Sequence, residues 1–153
     1  MRRRKIILSQ ALLLTALLLI MGCGKQFDSE SRTLPELVFR YAENQSADYP
    51  TTLGANKFAE LVDQRTDGRI KIAVYHSAEL GGEVECIEQL RLGGIDFARL
   101  SLSQLAEVSA LINVLHLPFL YRDEKHMWRV LDGKIGDEFL NALESQNIIG
   151  LSW

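Results

Sequence analysis

The spacing of apolar positions changes several times along the chain, and each change predicts an element. A nearly continuous apolar run, IILSQALLLTALLLIM (6–21), follows the basic residues RRRK (2–5). The polar stretch GKQFDSESRTLPE (24–36) has no period and predicts a tether. LVFRYA (37–42) is rich in strand formers and RIKIAVY (69–75) alternates with β-branched residues, so both predict strands. Between them Leu53, Phe58, Leu61 and Val62 fall on one helical stripe, with Thr51 or Thr52 as the cap and Asp67-Gly68 as the stop.

Period-3.6 spacing returns in GEVECIEQLRLG (82–93), which predicts a helix with Val84, Ile87, Leu90 and Cys86 facing inward. IDFARLS (95–101) predicts a third strand. A short helix and an apolar segment ending at Pro118 come next. Two helices, DEKHMWRVLD (123–132) and KIGDEFLNALESQ (134–146), are then separated by Gly133, and NIIGLSW (147–153) starts a fourth strand. Strands alternating with helices imply parallel pairing through crossovers: an α/β lobe with a mainly parallel sheet flanked by helices. In such sheets ligands lie beyond the carboxyl ends of the strands. That rule selects Glu43 and Asn44 after the first strand, His76 and Ser77 after the second, and Arg99, Ser101, Ser103 and Gln104 around the third, all expected on one rim.

Charge sharpens the reading of the N-terminus. Of the 17 Lys+Arg, four lie in residues 1–22 and none of the 20 Asp+Glu do, so the remainder carries 13 − 20 = −7. That balance, without clustered basic residues, argues against nucleic acid as a partner. A basic cap before a short apolar run is the order of a secretory signal peptide. As a helix, Ile6 to Met21 would span only ~24 Å, less than the ~30 Å of a bilayer core. The ending IMGCGK resembles the lipobox of bacterial lipoproteins, which implies that Cys23 is acylated, becomes the new N-terminus and anchors an exported protein to the membrane. Cys86 is then a lone thiol and reads as a small core residue.

Candidate chemistry is sparse. The turn SAELGGEVE (77–85) sits between a strand and a helix, as a phosphate loop would. It lacks the G-x-G-x-x-G order, and Glu83 and Glu85 already satisfy the positive end of the helix. His76, His116 and His126 show no ligand spacing, and there is no C-x-x-C, so no metal or other cofactor is expected. His116, within VLHLPFL, reads as a hydrogen-bonded core residue, and His126 as a helix-surface one. Trp128 reads as packing against the sheet rather than as a sugar platform. No catalytic set stands out. Arg99 lies inside an apolar strand, where a guanidinium needs a partner: either a protein carboxylate or an anionic ligand at the rim.

Taken in order, the patterns T-D-G-R-I-x-I-x-V-Y, E-L-G-G-E, Q-L-x-x-G-x-I-D-F-A and L-P-F-L-Y-R-D resemble the DctP-type solute-binding subunits of tripartite ATP-independent periplasmic (TRAP) transporters. The resemblance runs through residues 37–153. It implies an extracytoplasmic, non-catalytic protein of two lobes that closes on an organic anion, such as a C4-dicarboxylate, sialic acid or a sugar acid, and delivers it to the membrane permease subunits. By the same resemblance 37–153 is the N-terminal lobe, incomplete because its sheet receives a strand from the later half, where the carboxylate-gripping arginine also lies. Asn44, Glu83, Ser101 and Gln104 match positions that contact solute in relatives. Some relatives carry charged groups where this chain has Ser101 and Gln104, which suits a hydroxylated acid such as a uronate or aldonate. Two rival readings are a small exported hydrolase using His76 and Glu83 at the rim, and a stand-alone lipoprotein for interaction or sensing.

Overall fold

A computed structural model describes residues 34–153. The expected signal peptide, Cys23 and most of the expected tether lie outside those residues.

Strand β1 (Leu37–Ala42) pairs in parallel with β2 (Ile70–Tyr75) over its whole length, Leu37 opposite Ile70 through Ala42 opposite Tyr75. On its other side β1 pairs in parallel with β3 (Phe97–Ala98), giving the order β2-β1-β3. The third strand is shorter than the sequence predicts, two residues instead of seven. Backbone bonds flank it, from Asp96 N to Arg40 O (3.1 Å) and from Arg99 N to Ala42 O (3.0 Å). Arg99 therefore stands just past the strand, not inside it.

Helices cover the sheet as the alternation requires. On one face Phe97 packs edge-on to Phe39 (6.0 Å between centroids), stacks on Tyr41 (6.2 Å), and meets Phe58 of helix α1 (Pro50–Arg65) at 5.7 Å. On the other face Ala42 and Ile95 pack with Cys86 of α2 (Glu83–Leu92), whose thiol is buried, as expected of a core residue.

Helix α1 departs from its predicted cap. The cap residue is Tyr49 and Pro50 is the first helical residue, a position where the missing N–H costs nothing. Thr52 is buried inside the helix. Asp67 (φ 52°) and Gly68 (φ 76°) make the turn into β2. The predicted stripes are only partly inward. Leu53 and Phe58 on α1 and Val84 on α2 are exposed, whereas Thr52, Ala55, Cys86 and Ile87 are buried.

Downstream, α3 (Leu102–Val108) and a 3-10 helix (Ala110–His116) lead to α4 (Glu124–Leu131) and α5 (Lys134–Asn141), with Gly133 as the α5 cap. Asp123 caps α4, its carboxylate accepting from His126 N at 2.6 Å. A second core joins Ile87, Ala106, Ile112, Leu115, Phe139, Leu143 and Ile148. Three expectations are corrected here. His116 is exposed, because the three-residue turn of a 3-10 helix sends Ile112 and Leu115 inward and leaves the next position out. Trp128 is 41% exposed instead of lying on the sheet. Residues 147–153 form no strand, since no described strand pairs with them, although Ile148 is buried.

Candidate solute-binding rim

At the carboxyl end of the sheet, β1 and β3 deliver two charged residues side by side. Tyr41 is opposite Phe97; two residues further, on the same face of each extended chain, come Glu43 and Arg99. Arg99 Nε lies 3.4 Å from Glu43 Oε1, an ion pair whose N–H is not aligned as a hydrogen bond. From the far side the first residue of α2 reaches over. Arg99 Nη1 donates to Glu83 Oε1 at 3.3 Å. Glu83 Oε2 accepts from Ser101 N at 3.0 Å and from Ser101 Oγ, and the Ser103 hydroxyl is 2.9 Å from that of Ser101.

Five of the rim residues selected from sequence are thus joined in one network: Glu43, Glu83, Arg99, Ser101 and Ser103. Their exposure is graded. The Glu43 side chain is fully buried, that of Glu83 15% exposed and that of Arg99 25%, and Ser103 is exposed. Between the two open readings of Arg99, the structure gives it protein carboxylates, and two of them. Asn44 is half-buried on the loop after Glu43. Gln104 faces away, lining a cavity of about 280 Å³ between α2 and α3 with Val84, Ile87, Glu88 and Arg91.

The loop after β2 supports this corner. Ser77 (φ 53°) and Ala78 (φ 58°) both take the left-handed conformation, uncommon for residues with a Cβ. It is held by Ser77 N donating to Gln45 O (2.8 Å) and Ala78 N to Glu43 O (3.2 Å). Gln45 N in turn donates to Glu43 Oε1 at 3.1 Å. Gly81, at φ 106°, completes the turn into α2, and a Cβ there would lie 3.0 Å from that of Glu85. The glycine pair thus shapes a turn, and Gln89 Nε2 fastens it by donating to Leu80 O at 2.7 Å. His76 Nδ1 faces its own loop, 3.0 Å from Ser77 Oγ and 3.5 Å from Glu79 Oε1. Glu83 is engaged by Arg99 and Ser101 instead, so the His76–Glu83 pairing behind the hydrolase reading gains no geometric support.

Sequence reasoning missed Tyr41. Burial pushes its phenol pKa up, the neighbouring Glu43 carboxylate adds to this, and Arg99 opposes it. Its position two residues before Glu43 on an alternating strand was the available signal. Elsewhere, an open hollow of about 620 Å³ lies on α4 between Glu124, Lys125, Trp128, Arg129 and Asp132. All five are exposed and of mixed charge, with no buried polar group to orient a ligand, so the sheet-end network is the better candidate. Among the described residues no group of three or more His, Cys, Asp or Glu could hold a metal ion, and no helix there is long and apolar enough to cross a membrane.

A parallel sheet between helices, with a charged and hydroxylated rim at its carboxyl end, defines the class: a lobe of the periplasmic-binding-protein type. The model of the DctP family, bacterial extracellular solute-binding protein family 7, matches residues 41–153, and the chain belongs to that family. A solute-binding protein from Chromohalobacter salexigens is 40% identical over 105 residues, 69% of this chain and 31% of its own length. The C4-dicarboxylate-binding protein DctB of Bacillus subtilis is 32% identical over 126 residues, 82% of this chain and 36% of its own. Among solved structures, a TRAP periplasmic solute binding protein from Xanthobacter autotrophicus Py2, with bound β-D-galacturonate, is 41% identical. It aligns with a TM-score of 0.71 over 74% of this chain and 38% of that one. The sugar acid binding protein DctPAm from Advenella mimigardefordensis, in complex with galactonate, is 29% identical with a TM-score of 0.74 over 78% and 38%. The chain thus spans about a third of the length of the curated relatives it matches.

Proposed function

We propose that this chain forms the first lobe of an extracytoplasmic solute-binding component of a TRAP-type transporter, which captures an organic acid and hands it to the membrane permease. The observation that carries the reading is the network of Glu43, Glu83, Arg99, Ser101 and Ser103 at the carboxyl ends of parallel strands, in a chain of this family. Glu83, Arg99, Ser101 and Ser103 contact the solute, with Asn44 at the margin. Glu43 contributes from behind, and Gln104 contributes only if the α2–α3 cavity opens onto the cleft. Closure of a second lobe supplies the remaining contacts, so that binding and hinge motion are one equilibrium. The N-terminal leader exports the protein, and Cys23 carries the lipid that holds it at the membrane.

Growing cells on labelled fatty acid tests the anchor: label is expected on the chain and lost with Cys23→Ser, whereas an unlabelled chain would contradict it. The transport role is tested by deleting the gene and measuring uptake of uronates, aldonates and C4-dicarboxylates. Loss of uptake of one of these is expected, and unchanged uptake of all three classes would contradict the reading.

A further inference from the structure

The rim holds an arginine, yet it is not a cationic rim. Arg99 brings one positive charge, while Glu43 and Glu83 bring two negative ones within 3.4 Å and 3.3 Å of it. Counted as one arginine and two glutamates, the set has a formal charge of −1. The two acids are not equivalent. Glu83 reaches the surface, whereas Glu43 is sealed beneath Arg99, 1% exposed, too deep to touch a solute. Its Oε2 accepts no hydrogen bond from any described residue, although the atom is buried. A buried carboxylate oxygen in that state is costly. The neighbouring backbone donor, Gln45 N, is already satisfied by Oε1.

We propose that Glu43 sets the solute selectivity of this rim. Its charge cancels that of Arg99 from below. What the rim then shows a solute is one net negative charge, the Glu83 carboxylate, the Ser101 and Ser103 hydroxyls and the remaining N–H groups of Arg99. Those groups accept and donate hydrogen bonds to hydroxyls, and they repel a carboxylate. The lobe therefore takes the hydroxyl-bearing end of a sugar acid and leaves its carboxylate pointing away, which disfavours a C4-dicarboxylate with an anionic group at each end. The inference rests on the solute-binding reading above and narrows it to a hydroxylated monocarboxylate. Glu43 acts through Arg99 and is a positioning residue.

The test is ligand-observed NMR on the full chain with three probes at millimolar concentration: D-galacturonate, neutral D-galactose and succinate. The unmodified chain is expected to bind galactose within about threefold of galacturonate, because this lobe does not grip the carboxylate, and to bind succinate at least about tenfold more weakly. Glu43→Gln makes the set neutral and is expected to raise succinate binding relative to galacturonate about tenfold, whereas Glu43→Asp, which keeps the charge, leaves the ratio in place. A merely structural Glu43 would weaken all probes together. Succinate binding as well as galacturonate to the unmodified chain, or an unmoved ratio in Glu43→Gln, would overturn the proposal and leave the organic-acid reading standing. Failure of all three probes with the unmodified chain would overturn both.

Discussion

Arg99 bridges two carboxylates of the rim, those of Glu43 and Glu83. It separates Glu43 from Glu83, and without it two acids would face each other across a mostly buried gap. Removing one member of such a set leaves charge without compensation, at a cost of about 3 kcal/mol or more. Arg99→Met is expected to lower the urea midpoint accordingly, and an unchanged midpoint would show that the network carries no stability. Tyr41 gives the corner a pH signature. Its folded pKa is raised above the usual phenol value of about 10 by burial and by Glu43, so the folded state holds its proton longer than the unfolded chain. The stability it contributes is complete below pH ~10 and is lost as pH rises through the folded pKa. Tyr41→Phe is expected to flatten the alkaline limb of the stability curve, measured by urea unfolding between pH 9 and 11.5. An identical limb would remove Tyr41 as its source.

At the scale of elements, what was legible in the sequence is what depends on local chemistry. β1 and β2 came from alternation and β-branching, α2 from its flanking glycines, and the break between α4 and α5 from Gly133. What was not legible depends on what an element meets. Periodicity says which side of α1 is apolar, but not that Leu53 and Phe58 stay exposed while Thr52 and Ala55 are covered. IDFARLS has the composition of a long strand, yet only Phe97 and Ala98 pair; NIIGLSW has strand composition and no described partner. Glu43, Arg99, Ser101 and Ser103 were legible because the carboxyl-end rule is geometric, but the same rule also picked His76 and Gln104, which stand outside the network, and Glu83 came from the family resemblance. The pairing of Glu43 with Arg99 needed the register of β1 with β3, which one sequence does not contain. Gly136 is another case of proximity without a sequence signal. A Cβ there would land on the carbonyl of Leu131, the last residue of α4. Gly136→Ala is expected to cost roughly 3 kcal/mol by forcing α5 off α4, read as a drop in thermal midpoint; a midpoint within a degree of the unmodified chain would contradict that packing.

Across the molecule, the described residues leave several large apolar side chains exposed. Leu37, Val38, Leu53, Phe58, Val84, Leu117 and Phe119 are all exposed, Phe119 completely and with φ at 58°. On the proposed first-lobe reading, this chain offers a solute one wall of a cleft, and most of the ordering cost of binding must be met by contacts on that wall alone. Calorimetry of the 153-residue chain with uronates, aldonates and C4-dicarboxylates is therefore expected to show no sub-micromolar binding. A sub-micromolar dissociation constant would mean that the rim is already a complete site.

On the proposed reading, the solute meets this protein at the carboxyl end of β1 and β3. Amide chemical-shift mapping of the isotope-labelled chain, titrated with D-galacturonate to millimolar concentration, tests it directly. The expected result is a contiguous set of saturable shifts at Asn44, Glu83, Arg99, Ser101 and Ser103, with the α4 hollow around Trp128 unmoved. Shifts centred on Trp128, or none at the rim, would rule out the sheet end as the solute site.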